Sequence, residues 1–173
     1  MDLSKIGYGE NPNKVHALIE IPYGSNVKYE VDKESGAIFV DRVLYSAMFY
    51  PANYGFVPNT LAKDGDPADI LVLNEYPLQS GSVIKCRLIG VLIMEDESGM
   101  DEKLLAVPVS KIDPQYDDIK DIDDLPKATL DKIKNFFETY KMLEPNKWVK
   151  VKDFKSKDEA QKILQEAIDN YSV

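Results

Sequence analysis

The stretch Ser82-Val83-Ile84-Lys85-Cys86-Arg87-Leu88-Ile89-Gly90-Val91-Leu92-Ile93-Met94 is apolar at nearly every position. Such a run reads as a strand buried on both faces, and it is far below the roughly 20 residues that a membrane span needs. Around it lie further strand patterns. Val15, Ala17, Ile19 and Ile21 alternate with His16, Leu18 and Glu20, and Val27, Tyr29 and Val31 alternate with Lys28 and Glu30. Glu20, Lys28 and Glu30 are therefore expected on a shared polar side. Ala37 to Leu44, Asp69 to Leu73, Leu104 to Val109 and Trp148 to Lys152 complete the strand set.

Two amphipathic helices are expected in the last third. Leu130, Ile133, Phe137 and Tyr140 recur at helical spacing over Ala128 to Leu143, with Pro126 before and Pro145 after. From Ser156, with Glu159 as a capping-box partner, Ala160, Ile163, Leu164, Ala167, Ile168 and Tyr171 form a second stripe. Many strands followed by two helices argue for an α+β chain. Its simplest form is a small closed, mostly antiparallel β-barrel with two C-terminal α-helices packed against it. No internal repeat or linker interrupts residues 1–173, and a chain this size buries about 70% of its unfolded surface, so a single domain is expected.

Composition narrows the chemistry. The formal net charge of −9 argues against nucleic acid, which asks for a basic face. One Cys, Cys86, excludes an internal disulfide and a thiolate zinc site, and one His, His16, excludes a zinc site with several imidazoles. The N-terminal residues lack the apolar run of a signal peptide, so no membrane association and a cytoplasmic location are expected. Catalysis by such a chain rests on carboxylates, amines, guanidinium and phenols.

The densest local feature is Asp64-Gly65-Asp66-Pro67-Ala68-Asp69-Ile70, three carboxylates in a tight loop entering an apolar strand. Clustered carboxylates repel, which favours a bound cation or a raised pKa. An all-oxygen set without His or Cys suits Mg²⁺, Mn²⁺ or Ca²⁺. The bland alternative is a solvated acidic turn. Glu95 to Lys103 reads as a polar hairpin loop between apolar strands, and Asp117 to Asp124 as a solvated loop leading to Pro126. Alternation from Ile38 and Val40 puts Arg42 on an apolar face, where it needs a carboxylate or phosphate partner. Tyr50-Pro51-Ala52-Asn53-Tyr54-Gly55-Phe56 reads as an aromatic turn whose phenols either pack or donate to an oxyanion. Lys141, after Tyr140, stands where a helix dipole alone would favour a cation. Together, carboxylates for divalent cations and Lys, Arg and Tyr donors for oxyanions make a toolkit for metal-assisted phosphoryl transfer to water. No phosphate-cradling Gly-rich nucleotide loop is present.

The sequence closely resembles the family I soluble inorganic pyrophosphatases. Their signature of Asp, a small residue, Asp, Pro, an apolar residue, Asp and an aliphatic stands here as Asp64 to Ile70. In the family's order stand Ile19-Glu20-Ile21-Pro22, Lys28-Tyr29-Glu30, Val40-Asp41-Arg42, Phe49-Tyr50-Pro51, Glu95 to Lys103, Phe136 to Lys141 and Lys147-Trp148-Val149-Lys150. The resemblance implies an OB-like barrel that hydrolyses pyrophosphate to two phosphates with several Mg²⁺ ions, Mn²⁺ being an alternative.

By the same resemblance Asp66 is the expected general base. Asp64, Asp69 and Asp101 are the expected ligands of the activating metals, with Asp69 bridging. Asp96, Glu97, Glu20 and Glu30 are expected around the further, substrate-borne metals. Lys28, Arg42, Tyr54, Lys103, Tyr140 and Lys141 match phosphate-holding positions, with Tyr50 beside them. The compact members are typically homohexamers, so a hexamer is expected, although Asn135 and Thr139 replace histidines found at subunit contacts in some bacterial relatives. The competing reading is a metal-dependent phosphate-binding or regulatory module without turnover.

Overall fold

The structure is a computed structural model that describes residues 3–171. Its strands are β1 (Gly9–Asn11), β2 (Lys14–Ile21), β3 (Val27–Val31), β4 (Ile38–Val43), β5 (Asn53–Phe56), β6 (Asp69–Val72), β7 (Val83–Asp96), β8 (Gly99–Pro108) and β9 (Val149–Ser156). Helix α1 (Lys127–Thr139) precedes β9, and α2 (Lys157–Asn170) follows it. Hydrogen-bonded neighbours run β2, β5, β6, β8, β7 and back to β2, which closes a ring. Only the β6–β8 pair in that ring is parallel. The expected mostly antiparallel barrel with helices against it is what forms.

The long apolar run is the 14-residue β7, and its length is used by three neighbours. Val83 to Cys86 pair with β2, Gly90 to Asp96 pair with β9, and β8 lies along the other edge. Both faces of β7 are buried through its centre, Leu88 to Leu92, as the lack of polar alternation there requires, while Val83 and Lys85 at its start are exposed. Leu71, Ile89, Leu92 and Leu105 pack with Ile133, Phe136 and Phe137 of α1. Their sequence neighbours Ile70, Leu88, Leu104 and Ala106 pack with Ala160, Leu164 and Ala167 of α2. Each fully buried Leu, Ile or Phe contributes about 1.5–3 kcal/mol of transfer free energy.

Several local expectations are corrected. Asn53 to Phe56 is not a turn but a fully buried strand in the ring. Gly55 lets it approach β2, because a Cβ there would stand 1.8 Å from the Leu18 carbonyl oxygen. Most of the expected Glu95–Lys103 loop is strand, with β7 and β8 paired out to Asp96 and Gly99. Helix α1 stops at Thr139, short of Leu143, with Tyr140 as its C-terminal cap residue.

The capping box at Ser156 does not form, since Ser156 makes no side-chain cap bond. The Lys157 N–H donates instead to Asp121 Oδ1 at 3.1 Å, an oxygen that also accepts from Ile122 N at 2.7 Å. The Asp117–Asp124 stretch is therefore structural as well as solvated. Ile122 is buried, and Arg87 donates to the Tyr116 and Ile119 carbonyls. Arg42 does not lie on a core face, because Ile38, Val40 and Val43 are all exposed and a bulge breaks the β3–β4 register beside it. Among the described residues no helix is long and apolar enough to cross a membrane.

Candidate active site

The Asp64–Asp69 loop joins the end of β5 to β6 through a short turn fixed by Thr60. The buried Thr60 hydroxyl donates to the Val57 carbonyl at 2.6 Å and accepts from Ala68 N at 2.9 Å. Ala62 N donates to the Asp66 carbonyl at 2.7 Å, and Gly65, at φ +91°, supplies the left-handed step between two aspartates. The loop thus presents Asp64, Asp66 and Asp69 from a backbone tied by these bonds, which no spacing rule alone could establish.

These aspartates face a cleft of about 500 Å³. Strand β2 brings Glu20, β3 brings Lys28 and Glu30, and β4 brings Arg42 to its wall. From β5 comes Tyr54, and from the β7–β8 hairpin come Asp96, Glu97, Asp101 and Lys103. The turn after α1 supplies Tyr140 and Lys141. Every candidate base, metal ligand and phosphate holder expected from the sequence therefore lines one cleft. Tyr50, expected beside them, does stand against Tyr54 and Tyr140, its ring centroid 5.6 and 6.5 Å from theirs, but does not line the cleft. Tyr50 is buried behind Tyr54 and Tyr140, its ring centroid 4.7 Å from that of Phe136, and it packs rather than contacts the cleft.

The charges interlock. Lys103 Nζ, nearly inaccessible to solvent, stands 2.5 Å from Asp69 Oδ2, 2.6 Å from Asp101 Oδ1 and 5.6 Å from the centroid of the Tyr54 ring. Burial disfavours its charge, but Asp69, Tyr54 and Asp101 outweigh that and hold its pKa well above the ordinary value. Lys141 Nζ lies 2.9 Å from Asp96 Oδ2. Burial pushes Asp96 up, yet the Lys141 and Ser98 N–H bonds prevail and bring it below the usual range. Lys28 pairs with Glu30 and, at 3.2 Å, with Asp41.

Other carboxylates move the opposite way. Desolvation raises Asp64 and Asp101, and it lifts Glu20 to about 7 against the opposing bond from Val31 N at 2.8 Å. Burial likewise raises the pKa of the Tyr54 and Tyr140 phenols, so both retain their O–H. Two cleft cations escaped the sequence reading as site residues. Lys33, in the β3–β4 turn, stands 2.6 Å from Asp66, and Lys147 pairs with Glu97. Neither lies in an apolar-periodic element, so no pattern marks them.

The donor set fits a hard divalent cation. The cleft holds the carboxylates of Glu20, Glu30, Asp64, Asp66, Asp69, Asp96, Glu97 and Asp101 against the cations of Lys28, Lys33, Arg42, Lys103, Lys141 and Lys147. Oxygen ligands in excess of lysines and arginine, several with proton affinity raised by burial, are the chemistry that Mg²⁺-type ions neutralise. As placed, no three described His, Cys, Asp or Glu side chains converge on one point. The Lys103 ammonium is the counter-ion between Asp69 and Asp101.

An OB-like ring bearing an acidic cleft laced with phosphate-type donors defines a metal-assisted, polyanion-handling site. The family model for inorganic pyrophosphatase matches residues 17–172. An inorganic pyrophosphatase of Campylobacter jejuni is 75% identical over 171 residues, covering 99% of each chain. A solved inorganic pyrophosphatase structure from Helicobacter pylori superposes with a TM-score of 0.95 at 63% identity, over 96% of this chain and 98% of that one. One from Thermus thermophilus does so with a TM-score of 0.95 at 46% identity, over 99% of each. The chain belongs to the inorganic pyrophosphatase family.

Proposed function

We infer that this chain hydrolyses inorganic pyrophosphate to two phosphates, as the names of its relatives describe for those proteins. The observation that carries the reading is the single cleft in which the signature loop, the hairpin carboxylates and the phosphate-type donors meet. The family's reaction depends on metal ions. We assign Mg²⁺ as the ion, with Mn²⁺ as a substitute, because the ligands are all hard oxygens. Asp64, Asp69 and Asp101 would hold the activating ions, and Asp96, Glu97, Glu20 and Glu30 those that accompany the substrate. When bound, these cations supply Lewis acidity and screen the negative charge of the substrate.

The chain's own residues do the rest. Asp66 is 70% exposed on its side chain, so water in the cleft can reach it, and its carboxylate accepts the proton of the attacking water. The water oxygen bonds to one phosphorus as the bridging oxygen leaves with the other, and the proton ends on a phosphate product. Lys28, Arg42 and Lys103 hold oxyanions by charge, with Lys141 beside them. Tyr54 and Tyr140 donate O–H bonds at the same wall, where charge on the departing phosphate grows.

Residues 1–173 act as one catalytic domain in the cytoplasm, assembled as a homohexamer, with neither nucleic acid nor membrane as partner. Phosphate release from pyrophosphate with Mg²⁺, run beside ATP, chelator and Asp66→Asn tubes, tests the reading. Release from pyrophosphate alone that needs metal and Asp66 supports it. A folded, phosphate-binding protein without turnover would replace it with the regulatory-module reading.

A further inference from the structure

The turn that carries Tyr140 and Lys141 also carries Glu144. Its N–H donates to the Lys141 carbonyl at 2.9 Å, which ties Glu144 to the same turn. The Glu144 side chain is only 8% exposed, and its Oε1 stands 3.2 Å from Arg42 Nε, across on β4. Arg42 also donates through Nη1 to Asp41 Oδ2 at 2.7 Å. Glu144 Oε2 and Arg42 Nε are both buried and neither makes a hydrogen bond. A buried carboxylate needs a compensating cation, and Arg42 is the one ion-pair partner Glu144 has among the described residues.

Arginine is long and rotamer-rich, so an unrestrained guanidinium loses much freedom when it grips an oxyanion. A carboxylate at Nε removes part of that freedom beforehand, and preorganisation of this kind improves binding without adding a contact. We propose that Glu144 is a positioning residue that fixes the Arg42 guanidinium at the cleft wall and couples it to the turn bearing Tyr140 and Lys141. This rests on the phosphate-holding role given to Arg42 above. Glu144 itself does not line the cleft.

A double-mutant cycle on inorganic phosphate binding, measured by calorimetry with Mg²⁺, tests it. Glu144→Gln is expected to weaken phosphate binding about tenfold, through lost preorganisation of Arg42, and to raise KM by more than it lowers kcat. In an Arg42→Met background the same change is expected to alter phosphate affinity by less than about twofold, because no guanidinium is left to position. Equal losses in both backgrounds, or no loss with Arg42 present, overturn the proposal. If Glu144→Gln lacks a cooperative melting transition, Glu144→Asp, which keeps the charge but shortens its reach, runs the same cycle with an expected smaller loss. Wild-type protein that binds phosphate but does not hydrolyse pyrophosphate would fail the functional reading and leave the cycle interpretable.

Discussion

Asp69 and Lys103 stand on neighbouring parallel strands, one position ahead of the paired residues Ile70 and Leu104, and their charges meet at 2.5 Å. The same ammonium reaches Asp101 at 2.6 Å, so one buried cation balances two carboxylates. Lys103→Met would leave that pair uncompensated. We expect a loss of about 3–5 kcal/mol in urea unfolding with chelator present, the range for breaking a buried ion pair, and partial recovery on adding Mg²⁺. Unchanged stability without metal would show that Lys103 is not their balancing charge.

Asp66 separates chemistry from folding. Its backbone makes the loop's bonds, accepting from Ala62 N and donating to Asp64 Oδ1, while its side chain meets only Lys33 among the described residues. Asp66→Asn is therefore expected to melt within about 0.5 kcal/mol of the parent and to lose roughly 10²–10⁴-fold in kcat, the span for a general base. Retained turnover in a phosphate-release assay would move the base elsewhere.

Glu20 gives a signature in pH. Desolvation raises its pKa to about 7, so between its ordinary value near 4.5 and about 7 the folded chain keeps a proton that the unfolded chain has released. Stability of the metal-free protein should then fall as pH rises through that window, by at most a few kcal/mol, since each pH unit crossed costs about 1.4 kcal/mol. Glu20→Gln should flatten that fall. Urea melts at pH 5 and pH 7.5 compare the two proteins, and identical pH slopes would remove Glu20 as the source.

Thr60 lies outside the cleft yet holds its loop. Thr60→Val keeps the shape and leaves the buried Ala68 N–H without an acceptor, which costs about 1–3 kcal/mol. The variant should also bind Mg²⁺ more weakly, because Asp64 and Asp69 flank the loosened segment. Wild-type metal affinity in a destabilised protein would confine Thr60 to folding.

The barrel could be read from sequence where burial leaves no alternative. Residues 82–94 have too few polar side chains for a one-faced strand, and β7 is buried on both sides from Leu88 to Leu92, while Val83 and Lys85 at its start are exposed. Two-residue periodicity placed Glu20, Lys28 and Glu30 together, and they do share the cleft. It misled at Arg42, because the bulge beside it resets the register and the Ile38 and Val40 face is exposed. Strand β5 was hidden because Asn53 and Gly55 are turn formers by local preference. Here the Asn53 side chain is consumed in bonds to Tyr23, Tyr76 and Leu78, and Gly55 is dictated by the Leu18 carbonyl. The resemblance supplied the cleft residues one by one. Their convergence, and the partners Lys33 and Glu144, came only with the tertiary structure, since ion pairs between distant segments leave no period in the chain.

Cys86 lies in β7, fully buried in the layer that α2 covers, and burial drives its thiol pKa far up. With Cys86 closed to solvent, a thiol reagent reaches its sulfur only when the layer opens. The single cysteine is thus a built-in clock: its rate of reaction with an aromatic disulfide reagent reports how often the β7–α2 layer parts. Any ligand that holds the ring shut should slow that clock without touching the sulfur.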